Sequence, residues 1–165
     1  MATPRRLPAF LYVGFHRYFL TICTHERTPR FTQDDDVWLV HEQIVKASTR
    51  LQFELTAYCF MPDHWHGLVT ALSEDADLKR YVSDAKQRSA WHFSRSRKRP
   101  LWQRGYYERV LRDEETTPEV IEYIVNNPVR AGIVTRPLDY PHWGSGRFSR
   151  EELLEFIWRP GPRRP

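Results

Sequence analysis

The sequence lacks the features that mark disulfide-rich, zinc-stabilised and membrane-spanning proteins. Its 165 residues include two cysteines, Cys23 and Cys59, and no CxxC pair, which excludes a zinc finger or ribbon and argues against a disulfide framework. Two lone thiols suit a reducing compartment, so we expect a cytoplasmic protein. No apolar run approaches the roughly 18–20 residues of a membrane span, and none near the start is long enough for a signal peptide. The metalloprotease motif HExxH and the zinc-deaminase motif HxE…PCxxC are also missing.

Positive charge is concentrated in one part of the chain. The whole sequence has 25 Lys and Arg against 21 Asp and Glu, a net charge of +4. Residues 85–112 alone hold nine basic side chains and one acidic side chain, or +8, which leaves −4 for the rest. We call residues 85–112 the basic segment. Such local charge is expected of a protein that grips a polyanion on one side.

The length of the chain predicts a single domain over residues 1–165. Alternating residues predict four strands, and apolar positions three or four apart predict helices. The order β-α-β-β-α-β-α matches the split βαβ, ferredoxin-like pattern of an RRM-like palm. We therefore expect an α+β fold with helices on one face of an antiparallel sheet, plus a C-terminal helix. The predicted strands lie at 16–24, 53–60, 64–71 and 106–111, and the predicted helices at about 37–48, 78–93, 118–127 and 149–158.

His64-Trp65-His66 is the most informative triplet in the sequence. Because side chains alternate along a strand, the two imidazoles point to one side and Trp65 to the other, where it can pack into the core. Two imidazoles on one face can bind one divalent ion, but a bare His-x-His also occurs as two ordinary hydrogen-bonded or exposed histidines. Asp63 could orient an imidazole or be a turn residue. The apolar strand and the proline turn that precede the pair make this string much rarer than the pair alone.

Three stretches together resemble the HUH nucleases, in which U is a bulky apolar residue, and among them the single-tyrosine transposases. The stretches are MPDHWHGLV at 61–69, LWQRGYYERVLRDEE at 101–115 and YIVNNPVRAGIV at 123–134, followed by YPHWGS at 140–145. The resemblance is strongest to the REP-associated branch of these transposases. Together with the first strand, the stretches span about 10–146, so the resemblance implies a core over these residues and a C-terminal extension at 147–165. The resemblance also implies a ferredoxin-like palm, a divalent metal and a tyrosine nucleophile.

The resemblance places the nucleophile on the helix before the NPVRAG stretch, which points to Tyr123. The predicted helix at about 118–127 is therefore the C-terminal nucleophile helix of the expected fold. Tyr123 and Asn127 are four residues apart, so a helix projects both from one face, and the Asn127 amide oxygen can complete a metal site with His64 and His66. Imidazole and amide ligands suit Mg²⁺ or Mn²⁺, acting as a Lewis acid on the scissile phosphate. From the helix alone, Tyr123 could instead be a core aromatic residue, and Asn127 a C-cap before Pro128.

Cations and aromatic residues are interleaved in the basic segment. Cations neutralise phosphates, and aromatic rings stack on unpaired bases. Four cations within residues 95–99 repel one another without a partner, which favours phosphate contact over a solvated loop. Trp91 and Tyr107 are expected in the core. The resemblance implies a REP-like DNA hairpin with a short single-stranded segment beside it. The predicted nucleic-acid contacts are Arg95, Arg97, Lys98, Arg99, Trp102, Arg104 and Arg130.

These patterns favour a metal-dependent single-strand DNA endonuclease and strand transferase that works through a 5′-phosphotyrosine. The alternative is a domesticated hairpin-binding protein with weak or no cleavage, which needs the basic segment but not the metal ligands. A replication or plasmid-relaxation initiator of the wider HUH group is a third reading, although such proteins often carry a helicase domain or a second tyrosine. We expect a monomer, with a homodimer as the alternative.

Overall fold

The computed structural model describes residues 7–111 and 117–158, which are built around a five-stranded antiparallel sheet. The order across the sheet is β4-β1-β3-β2-β5, and its first four strands have the arrangement of the split βαβ pattern. The α+β, ferredoxin-like prediction is therefore confirmed. The strands are β1 (Arg17–Cys23), β2 (Phe53–Met61), β3 (His64–Ala71), β4 (Tyr107–Val110) and β5 (Trp143–Gly144).

Helices lie against both faces of the sheet. On one face, α1 (Asp34–Arg50) and α2 (Leu78–Arg97) pack against each other, as predicted. On the opposite face, α3 (Thr117–Val125) contacts β2 and β3, and it is followed by the short α4 (Asn127–Arg130) and by α5 (Arg150–Trp158). We call these the α1–α2 face and the α3 face. Within the described ranges, no helix is long and apolar enough to cross a membrane.

Strand alternation divides the side chains between two apolar clusters. On β1, Leu20 belongs to the cluster on the α1–α2 face, whereas its neighbour Phe19 belongs to the cluster on the α3 face. On β3, Trp65 is 1% exposed and lies in the α1–α2 cluster, which confirms that it is a core residue. His64 and His66 therefore point to the α3 face. The tryptophan thus fixes β3 from one side while the imidazoles stay available on the other.

The structure differs from the predicted elements mainly towards the C-terminus. The helix predicted over 118–127 ends at Val125, and a separate turn of helix begins at Asn127. Strand β5 was not predicted, because two residues are too few to show alternation. Residues 112–116, which include the last cation of the basic segment, and residues 159–165 of the C-terminal extension lie outside the described residues.

The residue after the histidine pair, Gly67, has no room for a side chain, because the Trp65 indole lies over its backbone. A Cβ at position 67 would lie 2.0 Å from Cη2 of Trp65, which is buried and cannot move aside. We expect Gly67→Ala to lower the free energy of unfolding by about 3 kcal/mol, the upper part of the usual range for overpacking a core. Gly132→Ala is the control, because nothing lies within 4 Å of its Cβ and only its left-handed backbone (φ +70°) opposes the change; its expected cost is about 1 kcal/mol. Urea denaturation measures both, and equal losses would contradict the steric explanation.

Candidate active site

The two histidines of β3 converge on one point. Their Nε2 atoms are 3.1 Å apart. The other ring nitrogen of each is engaged elsewhere: Nδ1 of His64 lies 2.6 Å from Oδ1 of Asp63, and Nδ1 of His66 lies 2.9 Å from Oγ1 of Thr21. Because the Asp63 carboxylate only accepts hydrogen bonds, Nδ1 of His64 donates and its Nε2 keeps the lone pair. An ion that binds both rings would therefore do so through the two Nε2 atoms.

Both imidazoles are held in their neutral form at neutral pH. Burial and the neighbouring His64 lower the pKa of His66 to about 3. Burial also lowers the pKa of His64, although the hydrogen bond to Asp63 acts in the opposite direction. A neutral imidazole is the form that ligates a metal ion, so the burial that disfavours the charged rings favours metal binding.

Asp63 is itself fixed by the loop that follows β1. Its Oδ2 lies 2.9 Å from Nε of Arg27, and its carbonyl accepts hydrogen bonds from the backbone N–H and the hydroxyl of Thr24 at 3.0 and 2.9 Å. Arg27 and Glu26 both adopt left-handed backbone conformations, with φ of 56° and 54°, which are uncommon for residues other than glycine. Asp63 therefore lies in the turn and also holds the His64 imidazole, so the two alternatives from the sequence, a turn residue and an orienting residue, both apply.

Tyr123 stands beside the histidine pair, on α3. Its ring centroid lies 6.0 Å from that of His66 and 5.7 Å from that of Phe19, edge-on to both. The guanidinium of Arg130 lies over the ring at 4.9 Å. The next residue, Ile124, is fully buried, whereas Tyr123 is 40% exposed. Tyr123 is thus not an ordinary core residue, because its ring lies at the margin of the α3 face and is open to solvent.

Asn127 turns its amide group towards the same place. Its Nδ2 donates to the carbonyl oxygen of Tyr123 at 2.7 Å, which leaves Oδ1 for other partners. A hydrogen bond with the Asn127 side chain acts to raise the pKa of His66, against the larger effect of burial, so the amide lies close to that imidazole. In the described part of the chain, no group of three or more His, Cys, Asp or Glu side chains could hold a metal ion. Two neutral imidazoles with one amide oxygen fit a divalent ion. Asn127 as the third ligand beside His64 and His66 stays a prediction.

The four cations within residues 95–99 lie at the C-terminal end of α2 and directly after it. Arg97 is engaged in packing between helices, since its Nε lies 2.5 Å from Oδ1 of Asp36 at the start of α1. The guanidinium of Arg95 stacks over the ring of Trp91 at 4.7 Å. The two cations after Arg97 are exposed. Contact of this run with DNA stays a prediction.

The other predicted cations, Arg104 and Arg130, lie in different parts of the fold. Arg130 follows α3, next to the tyrosine. Arg104 is exposed in the loop from α2 to β4. That loop passes the end of β1: the N–H of Gln103 donates to the carbonyl of Cys23, and Cys23 pairs with His64 across the sheet. The Arg104 side chain lines a groove beside α2 together with Lys79 and Lys86, so only Arg130 of these two cations contacts the tyrosine of the site. Contact of either arginine with DNA stays a prediction.

The aromatic residues of the basic segment that are buried and those that are exposed are not the ones predicted. Trp102, predicted to contact nucleic acid, is half-buried: its Nε1 donates to Oγ of Ser89 at 2.9 Å, and its ring centroid lies 5.5 Å from that of Phe31. A role for Trp102 in binding DNA stays a prediction. Trp91 and Tyr107, expected in the core, are 55% and 46% exposed, so that expectation was wrong. The pairing of β4 with β1 decides which face Tyr107 takes, and the sequence does not show this pairing.

Three residues beside the site were not predicted from the sequence. Thr21 contacts His66, Arg27 holds the carboxylate next to His64, and Arg109 places its guanidinium 5.9 Å from the Phe19 ring centroid. Alternation along β1 and β4 is a signal that could have assigned Thr21 and Arg109 to one face. Nothing in the sequence connects Arg27 to the turn before β3, because its position depends on the unusual backbone of its loop.

Comparison with known proteins agrees with these motifs. The model of the family described as "Transposase IS200 like" matches residues 13–127, which is most of the chain. A protein of Haemophilus influenzae named as a REP-associated tyrosine transposase is 27% identical over 159 residues, and the match covers 88% of each chain. The REP-associated tyrosine transposase of Escherichia coli is 24% identical over 130 residues, with 79% of this chain and 76% of that protein covered.

Two solved structures share the fold. A REP-associated tyrosine transposase bound to a REP hairpin matches with a TM-score of 0.71 at 23% identity, covering 87% of this chain and 82% of that chain. A chain described as a transposase of Deinococcus radiodurans matches with a TM-score of 0.53 at 23% identity, covering 74% of this chain and 96% of that chain. The fold, the sequence motifs and the family match agree: this chain belongs to the IS200-like transposase family, and its resemblance to the REP-associated tyrosine transposases is confirmed.

Proposed function

We propose that this chain cuts and rejoins single-stranded DNA beside a hairpin, with Tyr123 as the nucleophile and a divalent ion held by His64, His66 and Asn127. The observation that carries the proposal is the approach of the two histidine Nε2 atoms to 3.1 Å, next to a tyrosine ring 6.0 Å from His66. A protein that only binds a hairpin does not need a half-exposed phenol beside two neutral imidazoles.

The reaction is a transesterification that conserves the number of phosphoester bonds. The Oη atom of Tyr123 loses its proton and attacks the phosphorus atom, and the bond from phosphorus to the 3′ oxygen breaks. The departing oxygen takes up a proton and becomes a free 3′-hydroxyl, while the 5′ phosphate stays esterified to Tyr123. Attack by another 3′-hydroxyl on this ester releases the tyrosine and joins the two strands.

The residues of the chain position the reacting groups. Phe19 supports the Tyr123 ring from the sheet, and Asn127 binds the carbonyl of Tyr123, so the nucleophile and the third ligand are held as one unit. Arg130 covers the same ring with a positive charge, which can stabilise negative charge on a bound phosphate. When bound, Mg²⁺ or Mn²⁺ supplies further Lewis-acid stabilisation of that charge.

A covalent-adduct assay tests the proposal. The protein is incubated with Mn²⁺ and a labelled pool of hairpin oligonucleotides with randomised single-stranded flanks. We expect a labelled protein band that survives denaturation in SDS, together with a fragment that ends in a 3′-hydroxyl; EDTA should suppress both. The same pool annealed to its complement, which removes the hairpins, is the control. Hairpin binding that falls steeply with salt, with no adduct under any divalent ion, would favour the alternative of a binding protein without cleavage.

Asp63→Ala should weaken Mn²⁺ binding about 10- to 100-fold, the usual effect of removing a residue that orients a metal ligand. The physical reason is that His64 loses the acceptor that holds its Nδ1 proton. Asp63→Asn keeps a carbonyl oxygen at this position and should lose less affinity. Electron paramagnetic resonance of Mn²⁺ titrated into the protein without DNA measures both variants. Asp84→Ala is the control, since Asp84 pairs with Arg88 on α2; equal affinities for all three variants would contradict the orienting role of Asp63.

A further inference from the structure

A groove on the α3 face opens beside Tyr123. It lies between β4 and the first turns of α3, has a volume of about 580 Å³ and includes Phe19, Tyr107, Arg109 and Glu119 in its walls. These lining residues were not among the predicted nucleic-acid contacts. The groove is close to the nucleophile, yet none of the proposed metal ligands forms part of its wall.

We infer that this groove holds one unpaired nucleotide of the DNA strand next to the scissile phosphate, with its base stacked on Tyr107 and its phosphate at Arg109. The inference rests on the proposed function for its choice of ligand. It adds a nucleotide subsite and two binding residues to the nucleophile and the metal ligands.

Tyr107 has the properties of a stacking surface. Its side chain is 46% exposed, although it belongs to a strand. β4 is the outer strand on its side of the described sheet, and no described strand pairs with its outer edge. The Phe19 ring meets Tyr107 edge-on with centroids 6.4 Å apart, which supports the tyrosine from the sheet. A supported aromatic ring with an open face binds unpaired bases of any sequence.

Phe19 connects the subsite to the reacting groups. The same ring is stacked against His66 with centroids 5.4 Å apart, and it meets Tyr123 at 5.7 Å. The ring of Tyr107 and that of Tyr123 are therefore both one aromatic contact away from Phe19. A nucleotide on Tyr107 is then a near neighbour of the phosphate that Tyr123 attacks, rather than part of a distant hairpin contact.

Charge decides which way the nucleotide lies in the groove. The guanidinium of Arg109 lies on the β4 side, above Phe19, whereas Glu119 is in the first turn of α3 on the other side. A phosphate is attracted to Arg109 and repelled by Glu119, and the Glu119 carboxylate can accept a hydrogen bond from a base amino group. The backbone of the strand should therefore follow β4, with the base turned towards α3.

The test separates stacking from cleavage by using the full-length Tyr123→Phe protein. The probes are hairpin oligonucleotides whose single-stranded flanks carry 5-iododeoxyuridine at one position at a time. Irradiation links this base to an aromatic ring on which it stacks. We expect one flank position to crosslink to Tyr107, found by mass spectrometry in the tryptic peptide 105–109. Crosslinks from every flank position to other peptides, with none at Tyr107, would overturn the inference.

Affinity provides a second readout in the same Tyr123→Phe background. Tyr107→Leu should weaken binding of the hairpin probe roughly five- to a hundredfold, as the loss of one stacked base does, whereas Tyr107→Phe should stay within about twofold. Arg109→Gln should lower the salt dependence of binding by about one phosphate contact.

Trp38→Leu is the control, because Trp38 is 53% exposed on α1, on the opposite face. If Tyr107→Leu and Trp38→Leu bind the probe with equal affinity, the subsite is overturned, even if the wild-type protein forms the adduct. If the wild-type protein forms no adduct but Tyr107→Leu still weakens binding, only the proposed reaction is overturned.

Discussion

Tyr123→Phe should lose the covalent DNA adduct while it keeps its affinity for the hairpin probe. The substitution removes only the Oη atom, and the ring contacts with His66, Phe19 and Arg130 remain possible. Because no other atom can form the ester bond, we expect adduct formation to fall roughly a thousandfold or more, as the loss of a nucleophile typically does. Gel analysis of the adduct and a separate binding titration measure the two quantities.

The matched control for this variant is Tyr18→Phe. Tyr18 also loses a hydroxyl, one that donates to the carbonyl of Leu11 at 3.0 Å on the α1–α2 face. This variant should form the adduct at the rate of the wild-type protein. If Tyr123→Phe and Tyr18→Phe form equal amounts of adduct, Tyr123 is not the nucleophile.

His64→Ala should abolish Mn²⁺ binding to the free protein and, with it, formation of the adduct. One imidazole and one amide oxygen are too few protein ligands to hold the ion against water. His64 is the better choice of the two histidines, because His66 is more deeply buried and stacks on Phe19, so that its removal also disturbs packing. Mn²⁺ binding by electron paramagnetic resonance, with and without the hairpin probe, gives the direct readout.

The control for the metal site is His92→Ala. His92 is exposed on α2 and packs only against Trp91 among the described aromatic contacts. It should leave both Mn²⁺ affinity and the adduct unchanged. Unchanged Mn²⁺ binding in His64→Ala would show that the ion binds elsewhere, and it would remove the histidine pair from the proposed site.

The elements and faces that depend on local pattern could be predicted from the sequence. Alternation along β3 correctly placed the two histidines opposite Trp65, because a strand has a fixed two-residue period. The helix that carries Tyr123 was also predicted, since its apolar residues repeat every three or four positions and Pro128 limits its end. The order of strands and helices also predicted one antiparallel sheet, but it did not show that α3 packs on the face opposite α1 and α2.

Features that depend on contacts between distant segments could not be predicted in this way. Tyr107 was expected in the core, but its side depends on the pairing of a four-residue edge strand with β1. Arg27 reaches Asp63 only because two successive residues of its loop adopt left-handed conformations, which no local pattern indicates. Trp102 looked like a base-stacking residue, yet its indole N–H is satisfied by Ser89 inside the fold.

Mass spectrometry of the wild-type adduct tests the central claim most directly. Trypsin releases peptide 113–130, in which Tyr123 is the single tyrosine, and separately peptide 105–109, which contains Tyr106 and Tyr107. The proposed reaction predicts a nucleotide attached through its 5′ phosphate to Tyr123 in peptide 113–130. A nucleotide attached to Tyr107, or to any residue other than Tyr123, would contradict it.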